Sequence, residues 1–196
     1  NLLTLGTGAN AANQTIISGV ISGTAGLTVT NLGTLVLSGV NTYSGTTTIN
    51  SPAVVTIGDP GQLGSGSYAG NIVNNGTFNY NSTAAQTLSG TISGSGPLKI
   101  GGAGTLILTH ANTFANTVTV SGGGTLCVSA DSALGAAANA VTLNNGCLKN
   151  NNSAPTINSG RTITLGAGGG FLDAGWAPSN PLTIAAPGQT GIVLAP

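Results

Sequence analysis

The chain has 196 residues, three of them Lys or Arg and three Asp or Glu, so its formal net charge is zero and charged residues make up 3 %, against a usual quarter. Apolar residues make up 40 %, which excludes a charge-rich disordered tail, and three cations (Lys99, Lys149, Arg161) cannot neutralise a run of phosphates, which excludes a nucleic-acid partner. No run of 18 apolar residues is present, so no segment is expected to cross a bilayer as a helix, and the 33 Gly carry no three-residue period, which excludes collagen.

Asn1-Leu2-Leu3 lacks the basic region of a secretion signal and opens in repeat-like sequence. Short pieces then alternate with period two: Leu27-Thr28-Val29, Leu35-Val36-Leu37, Val55-Thr56-Ile57, Leu98-Lys99-Ile100, Leu106-Ile107-Leu108, Val118-Thr119-Val120, Val141-Thr142-Leu143 and Ile163-Thr164-Leu165. The interleaved residue is mostly Thr, whose branched Cβ suits a pleat and whose hydroxyl suits water. Glu is absent, and Gly, Asn, Ser and Thr break every helical window.

The chain repeats itself. Residues 17–50 recur as residues 88–121 at an offset of 71, with Asn41, Thr42, Thr46 and Thr48 among the identities and Phe114 in place of Tyr43. The match runs on through Leu63-Gly64 onto Leu134-Gly135. A finer period lies within it: Val29, Ile49, Ile72, Ile100, Val120, Leu143, Ile163 and Ile184 follow one another at short, nearly regular intervals. Leu35, Val55, Phe78, Leu106 and Leu126 keep the same steps. Two apolar series in phase predict stacked coils, each residue above its counterpart one coil earlier. The expected fold is all-β: a parallel right-handed β-helix (β-solenoid) of roughly eight coils of about 20–28 residues, near 40 Å long at a strand spacing of about 4.8 Å. Residues 1–196 read as a single segment with long units of about 17–87 and 88–157. The closing GIVLAP also stops in repeat-like sequence, so the expectation is a piece of a longer protein.

Cys127 and Cys147 are separated by the length of one coil. Both are expected to face outward on neighbouring coils, with Cα atoms about 5 Å apart, which predicts a disulfide between coils and an oxidising exterior.

GTLVLSGVNTYSGTTTIN (residues 33–50) resembles the autotransporter-associated β-strand repeat of bacterial passenger domains, a GTL strand, an NTYSG turn and a Thr-rich strand. Residues 102–126 are a degenerate second copy, with His110 and Ala111 in the turn and Asn116 in place of the Gly. With their lead-in and follow-on segments the two copies cover about two-thirds of the chain. The resemblance implies an exported, cell-surface or released stalk that serves adhesion, aggregation or spacing. It predicts no chemistry.

Pectate-lyase-like enzymes share the β-helix, and their sites need clustered carboxylates for calcium beside a basic group. The acids here are Asp59, Asp131 and Asp173. Asp59 and Asp131 precede equivalent Leu-Gly pairs, which reads as two local Asx turns about 14 Å apart, too far for paired glycosidase carboxylates. Asp173 is placed to approach Arg161, and His110 reads as a solvated turn residue. One His with two Cys gives no zinc set, no catalytic residue is assigned, and no cofactor or metal is expected. GAGGG (residues 166–170) precedes no helical pattern, so it is no phosphate cradle. Phe171 and Trp176 read as an apolar plug, with an exposed carbohydrate platform as the alternative.

The function expected from these readings is non-enzymatic: a structural or adhesive segment of a secreted bacterial surface protein or extracellular fibre. Thr46, Thr48, Thr117 and Thr119 are its candidate surface for self-association, because near-neutral faces lack the repulsion that keeps proteins apart. The partners expected are a further copy of itself or extracellular glycans. The alternatives are a carbohydrate-active β-helix with its catalytic residues outside this chain, or an ice- or glycan-binding Thr face.

Overall fold

The computed structural model describes residues 2–6, 13–30, 33–151, 156–157, 161–173, 183–184 and 192–194. Among these residues the helical parts are two 3-10 turns, Gly64–Gly66 and Asp131–Leu134, and the rest is short strand and loop. The strands pair in parallel with the strand one coil away, and together they make a β-solenoid of about eight coils.

The strands of the described residues stack into three long sheets and one short one. A five-stranded sheet holds Leu3–Gly6, Leu27–Thr30, Thr47–Ile49, Ile72–Asn74 and Ile92–Ser93. A nine-stranded sheet runs from Gln14–Ile17 through Thr34–Leu37, Val54–Ile57, Thr77–Tyr80, Leu98–Ile100, Val118–Ser121, Val141–Asn144 and Ile163–Leu165 to Ile192–Leu194. A six-stranded sheet holds Ser67–Tyr68, Ala85–Leu88, Thr105–Leu108, Thr125–Val128, Gly146–Asn150 and Gly170–Asp173. Thr156–Ile157 pairs with Thr183–Ile184. Where a coil carries no strand on one side, a loop takes its place.

Alternation sets the inside and the outside. In the nine-stranded sheet Leu35, Val55, Phe78, Leu98, Val118, Val141 and Ile163 form one buried ladder and Leu37, Ile57, Tyr80, Ile100, Val120 and Leu143 another. Each such side chain contributes about 1.5–3 kcal/mol by leaving water, and it can do so only because coils lie above and below it. The residues between them, Thr119, Thr142 and Thr164 for example, face out.

Ile100 and Val120 are parallel neighbours, as their spacing predicts. Other members of the two apolar series are not. Ile72 stacks on Thr47 rather than Ile49, and Phe78 pairs with Leu98 rather than Leu106. Ile163 lies beside Val141 and Ile192, and Leu143 beside Leu165. Ile184 lies beside Ile157. The shifts at Ile72 and Ile163 are of two residues, from one inward position of a strand to the other; the step from Phe78 to Leu98 has another cause, that the long repeat is not a whole number of coils. Leu27, Thr47, Ile72 and Ile92 mark three coils, and the further stretch from Ile92 to Leu98 carries the chain round a corner. The strands of the second copy in the long sheets therefore sit one sheet further round than their counterparts. Leu27 lies in the five-stranded sheet and Leu98 in the nine-stranded one; Leu35 lies in the nine-stranded sheet and Leu106 in the six-stranded one.

Corners interrupt the ladder and leave backbone groups to be satisfied. Asparagine amides, with a donor and an acceptor each, do this across coils. Buried Asn41 accepts from the Ile21 N–H at 2.9 Å and donates to the Gly39 and Gln62 carbonyls. Its counterpart Asn112 accepts from the Ile92 N–H at 2.7 Å and donates to the Ala133 carbonyl at 2.6 Å. Gly45, in the same turn as Asn41, has no room for a side chain: a Cβ there would run into the Ala25 carbonyl of the coil beneath.

Candidate functional site

The candidate surface residues do not form one patch. Thr46 is exposed ahead of the strand Thr47–Ile49, and Thr48 faces out from the five-stranded sheet in the column Thr4, Thr28, Thr48, Val73. Thr117 is exposed ahead of Val118–Ser121, and Thr119 faces out from the nine-stranded sheet in the column Asn79, Lys99, Thr119, Thr142, Thr164. The one-sheet advance of the repeat separates the two pairs. Between the first pair, Thr47 is buried, and its hydroxyl links the hydroxyls of Tyr43 and Tyr68 at 2.8 Å each. The two rings meet edge-on with centroids 5.5 Å apart, and burial raises both phenols above the ordinary tyrosine range.

The disulfide expected between Cys127 and Cys147 is not formed; both are free thiols. The register explains why. Cys147 pairs with Thr125 and Cys127 with Lys149, so the two sulfurs sit on a diagonal two residues apart, where neighbours are about 7–8 Å from one another. Cys127 faces outward yet is only 6 % exposed. Desolvation pushes both thiols up from the ordinary cysteine value, against a weaker pull from the Lys149 ammonium.

The charged groups are partnered differently from expectation. Asp173 meets Lys149 at 2.9 Å, not Arg161, because the two occupy one register position on adjacent coils. That hydrogen bond raises the Lys149 value. Arg161, 1 % exposed, turns inward onto Asp131: Nε donates to Oδ1 at 2.7 Å and Nη2 to Oδ2 at 3.1 Å. Its remaining N–H groups donate to the carbonyls of Asp131, Leu134, Gly135, Ala136 and Asn139. One guanidinium thus closes the whole 131–139 corner. Asp59 is not a local Asx turn either. Its carboxylate accepts from the Thr83 hydroxyl and, at 2.9 Å, the Thr83 N–H on the next coil, and these bonds hold it below the ordinary carboxylate range.

His110 is exposed in its turn, and Lys99 faces out from the nine-stranded sheet. Phe171 is 68 % exposed on the outer face of the six-stranded sheet above Cys147, so it plugs nothing. Trp176 lies outside the described residues. In the Gly-rich stretch, Gly166 to Gly169 make a turn that Asn144 fastens through the Gly168 N–H at 2.7 Å. Among the described residues no three His, Cys, Asp or Glu side chains stand close enough to hold a metal ion, and no helix is long and apolar enough to cross a membrane. The described surface also carries a shallow cleft of about 430 Å³, lined by Asn116, Thr117 and Asn139 with Ala115, Ala136, Ala138 and Ala140.

Two segments match a known family. Residues 27–51 and 101–127 fit the passenger-associated-transport-repeat, and the chain thus carries two copies of the autotransporter passenger repeat. A curated relative, an "Adhesin BmaC autotransporter" from Brucella suis biovar 1 (strain 1330), is 36% identical over 131 residues, 64% of this chain. The chain spans only 4% of that relative's length. No solved structure matches. The matched segments hold the two Asn-clipped corners, Asn41 with Tyr43 and Asn112 with Phe114, together with the strands on either side of them.

Proposed function

We propose, for a chain built on autotransporter passenger repeats, that it is a stiff, non-enzymatic segment of a bacterial protein displayed at the cell surface or secreted, and that it adheres through its near-neutral outer faces. The observation that carries this reading is the division of the strands: mostly apolar residues inward, interrupted by buried Thr47, Asn74 and Gln86, mostly Thr and Asn outward, and four of the six charged side chains held in two pairs. The rod's stiffness follows from backbone hydrogen bonds that run along its axis between coils. Its weak repulsion follows from a net charge of zero. The adhesin relative supports the same role.

The outer face of the nine-stranded sheet is about 40 Å long and one to two side chains wide, roughly 400 Å² per partner, which is below the area of a standard stable interface. Contact between single segments is therefore weak, and many segments in series supply strength by avidity. The test couples the purified chain to beads at high density and measures bead–bead aggregation and retention on glycan-coated surfaces. Aggregation or retention that disappears when Thr48→Lys and Thr119→Lys add repelling charge is the expected result. Beads that stay dispersed and unretained at every density, with light scattering showing a strict monomer at high concentration, overturn the reading.

A further inference from the structure

The outer face of the six-stranded sheet gathers groups found together nowhere else on the described surface. Two columns of outward residues run along it: Ile107, Cys127, Lys149 and Asp173 in one, Thr105, Thr125, Cys147 and Phe171 in the other. Both cysteines of the chain therefore stand here, on adjacent coils and in neighbouring columns. Both are free thiols; Cys127 is buried beneath its outward neighbours and Cys147 is half-buried, which leaves the pair open to solvent from one side. The register excludes one product of such a pair and fits another. A disulfide needs Cβ atoms about 3.5–4.5 Å apart, closer than a diagonal pair comes. On the diagonal the Cα atoms lie about 7–8 Å apart and the Cβ atoms somewhat less. Two sulfurs leaning towards each other across that gap are separated by the length of two metal–thiolate bonds laid end to end, about 4.6 Å.

We infer that Cys127 and Cys147 together bind one soft, two-coordinate cation of the class of monovalent copper, as a bridge between two coils. Thiolates select soft ions, and a closed-shell monovalent ion is satisfied by two of them in line. Zinc asks for four ligands, and among the described residues no group of three His, Cys, Asp or Glu side chains is placed to hold a metal ion. Binding breaks two S–H bonds, forms two S–Cu bonds and gives both protons to solvent, with no change of oxidation state. The bridge so formed carries one negative charge. The Lys149 ammonium lies beside Cys127 in register and favours that charge, while the Asp173 carboxylate, 2.9 Å from Lys149, opposes it. The two sulfurs sit on strands already fixed by parallel pairing between Thr125–Val128 and Gly146–Asn150, so little order is lost when the ion arrives.

The test needs no adhesion and so stands apart from the reading above. The intact chain is reduced, freed of reductant and kept without oxygen, and Cu(I) is added as its acetonitrile complex in competition with bicinchoninate. The expected result is one ion per chain, two protons released to a weak buffer for each ion, and both cysteines shielded from alkylation in the mass spectrum of the folded protein. Tm rises on binding, because the ion joins two coils that unfolding separates. Cys127→Ser and Cys147→Ser, each shown to keep the β circular-dichroism signal, lower the affinity by more than the roughly 10- to 100-fold that the loss of an outer partner costs. Lys149→Gln, which keeps most of the stem and removes the charge, lowers it by roughly threefold. No uptake against bicinchoninate, one ion shared between two chains, or affinity retained by either serine variant overturns the proposal. The spacing is tested separately by adding diamide to the metal-free folded chain. The expected result is two thiols that still take up alkyl groups; an intramolecular disulfide places the sulfurs too close for the bridge and overturns it as well.

Discussion

Replacing Arg161 by Leu tests whether one buried cation holds the corner at residues 131–139. The guanidinium is shielded from water, and its partner Asp131 has a side chain 18 % exposed. Removing one member of a buried pair costs about 3–5 kcal/mol, because the other is left uncompensated. Here the partly exposed carboxylate recovers some hydration, which lowers the cost. Five backbone carbonyls also lose a donor, at about 1–3 kcal/mol for each that water cannot reach, which raises it. These opposed corrections leave an expected loss of about 3–5 kcal/mol. Asp131→Asn keeps the carbonyl contacts and should cost roughly half as much. Urea unfolding gives the totals, and amide hydrogen exchange gives the location. In a solenoid each coil touches only its neighbours, so protection should fall at Ala136, Asn139 and Val141, whose N–H groups bond Phe114, Ala136 and Thr162, and remain at residues 34–57. An Arg161→Leu loss under about 1 kcal/mol, or one spread evenly over all coils, refutes the reasoning.

Three further outcomes follow from the same geometry. Asn112→Ala strands the buried Ile92 N–H and Ala133 carbonyl and should cost about 2–4 kcal/mol in urea unfolding, whereas Asn116→Ala, at the rim, should cost under about 1 kcal/mol. Without reduction, the unfolded chain should take up two alkyl groups by mass spectrometry; in the folded chain both thiols should react more slowly than a free cysteine at pH 8, Cys127 the slower of the two. Alkaline titration should unfold the chain. The Tyr43 value is raised in the folded state, so its stabilising effect is complete below the unfolded value near pH 10 and is lost as pH climbs towards the folded one, at about 1.4 kcal/mol per pH unit. Phenolate absorbance from Tyr43 should therefore appear together with loss of the β circular-dichroism signal; phenolate forming first at all three tyrosines would contradict it.

The alternation of Val118-Thr119-Val120 already told which side chains face in, and two apolar series kept in phase along the chain already told that coils stack. Phase within the stack was harder to read. Apolar residues occur at both inward positions of a strand, so Ile72 could be matched to Ile49 as readily as to Thr47, and only hydrogen-bond register separates them. The same two-residue ambiguity placed Cys147 over Cys127 instead of Thr125. The charges carried a usable signal. Lys149 and Asp173 are one coil apart, and a coil-length rule applied to them finds the pair that proximity in sequence assigned to Arg161. The Arg161–Asp131 contact follows no strand register, since Asp131 lies in a 3-10 turn whose path depends on the loop around it.

The repeat's advance of three coils and one side has a consequence for adhesion. A corner clipped by Asn41 or Asn112 bonds only to the coils before and after it, so the unit works equally well on any side of the rod. A repeat of three whole coils would display its surface residues in a single line, accessible from one direction. With the observed offset, Thr48 and Thr119 already face out from different sheets. Were the same spacing continued, the display would return to its first side after about ten coils, or about 48 Å along the axis. A rod of that kind presents equivalent weak contacts all round its circumference, so neighbouring rods need not be rotated into register before they touch. Weak contacts gain most from multiplicity when geometry does not forbid their simultaneous use, and a display that winds round the axis removes the rotational part of that restriction.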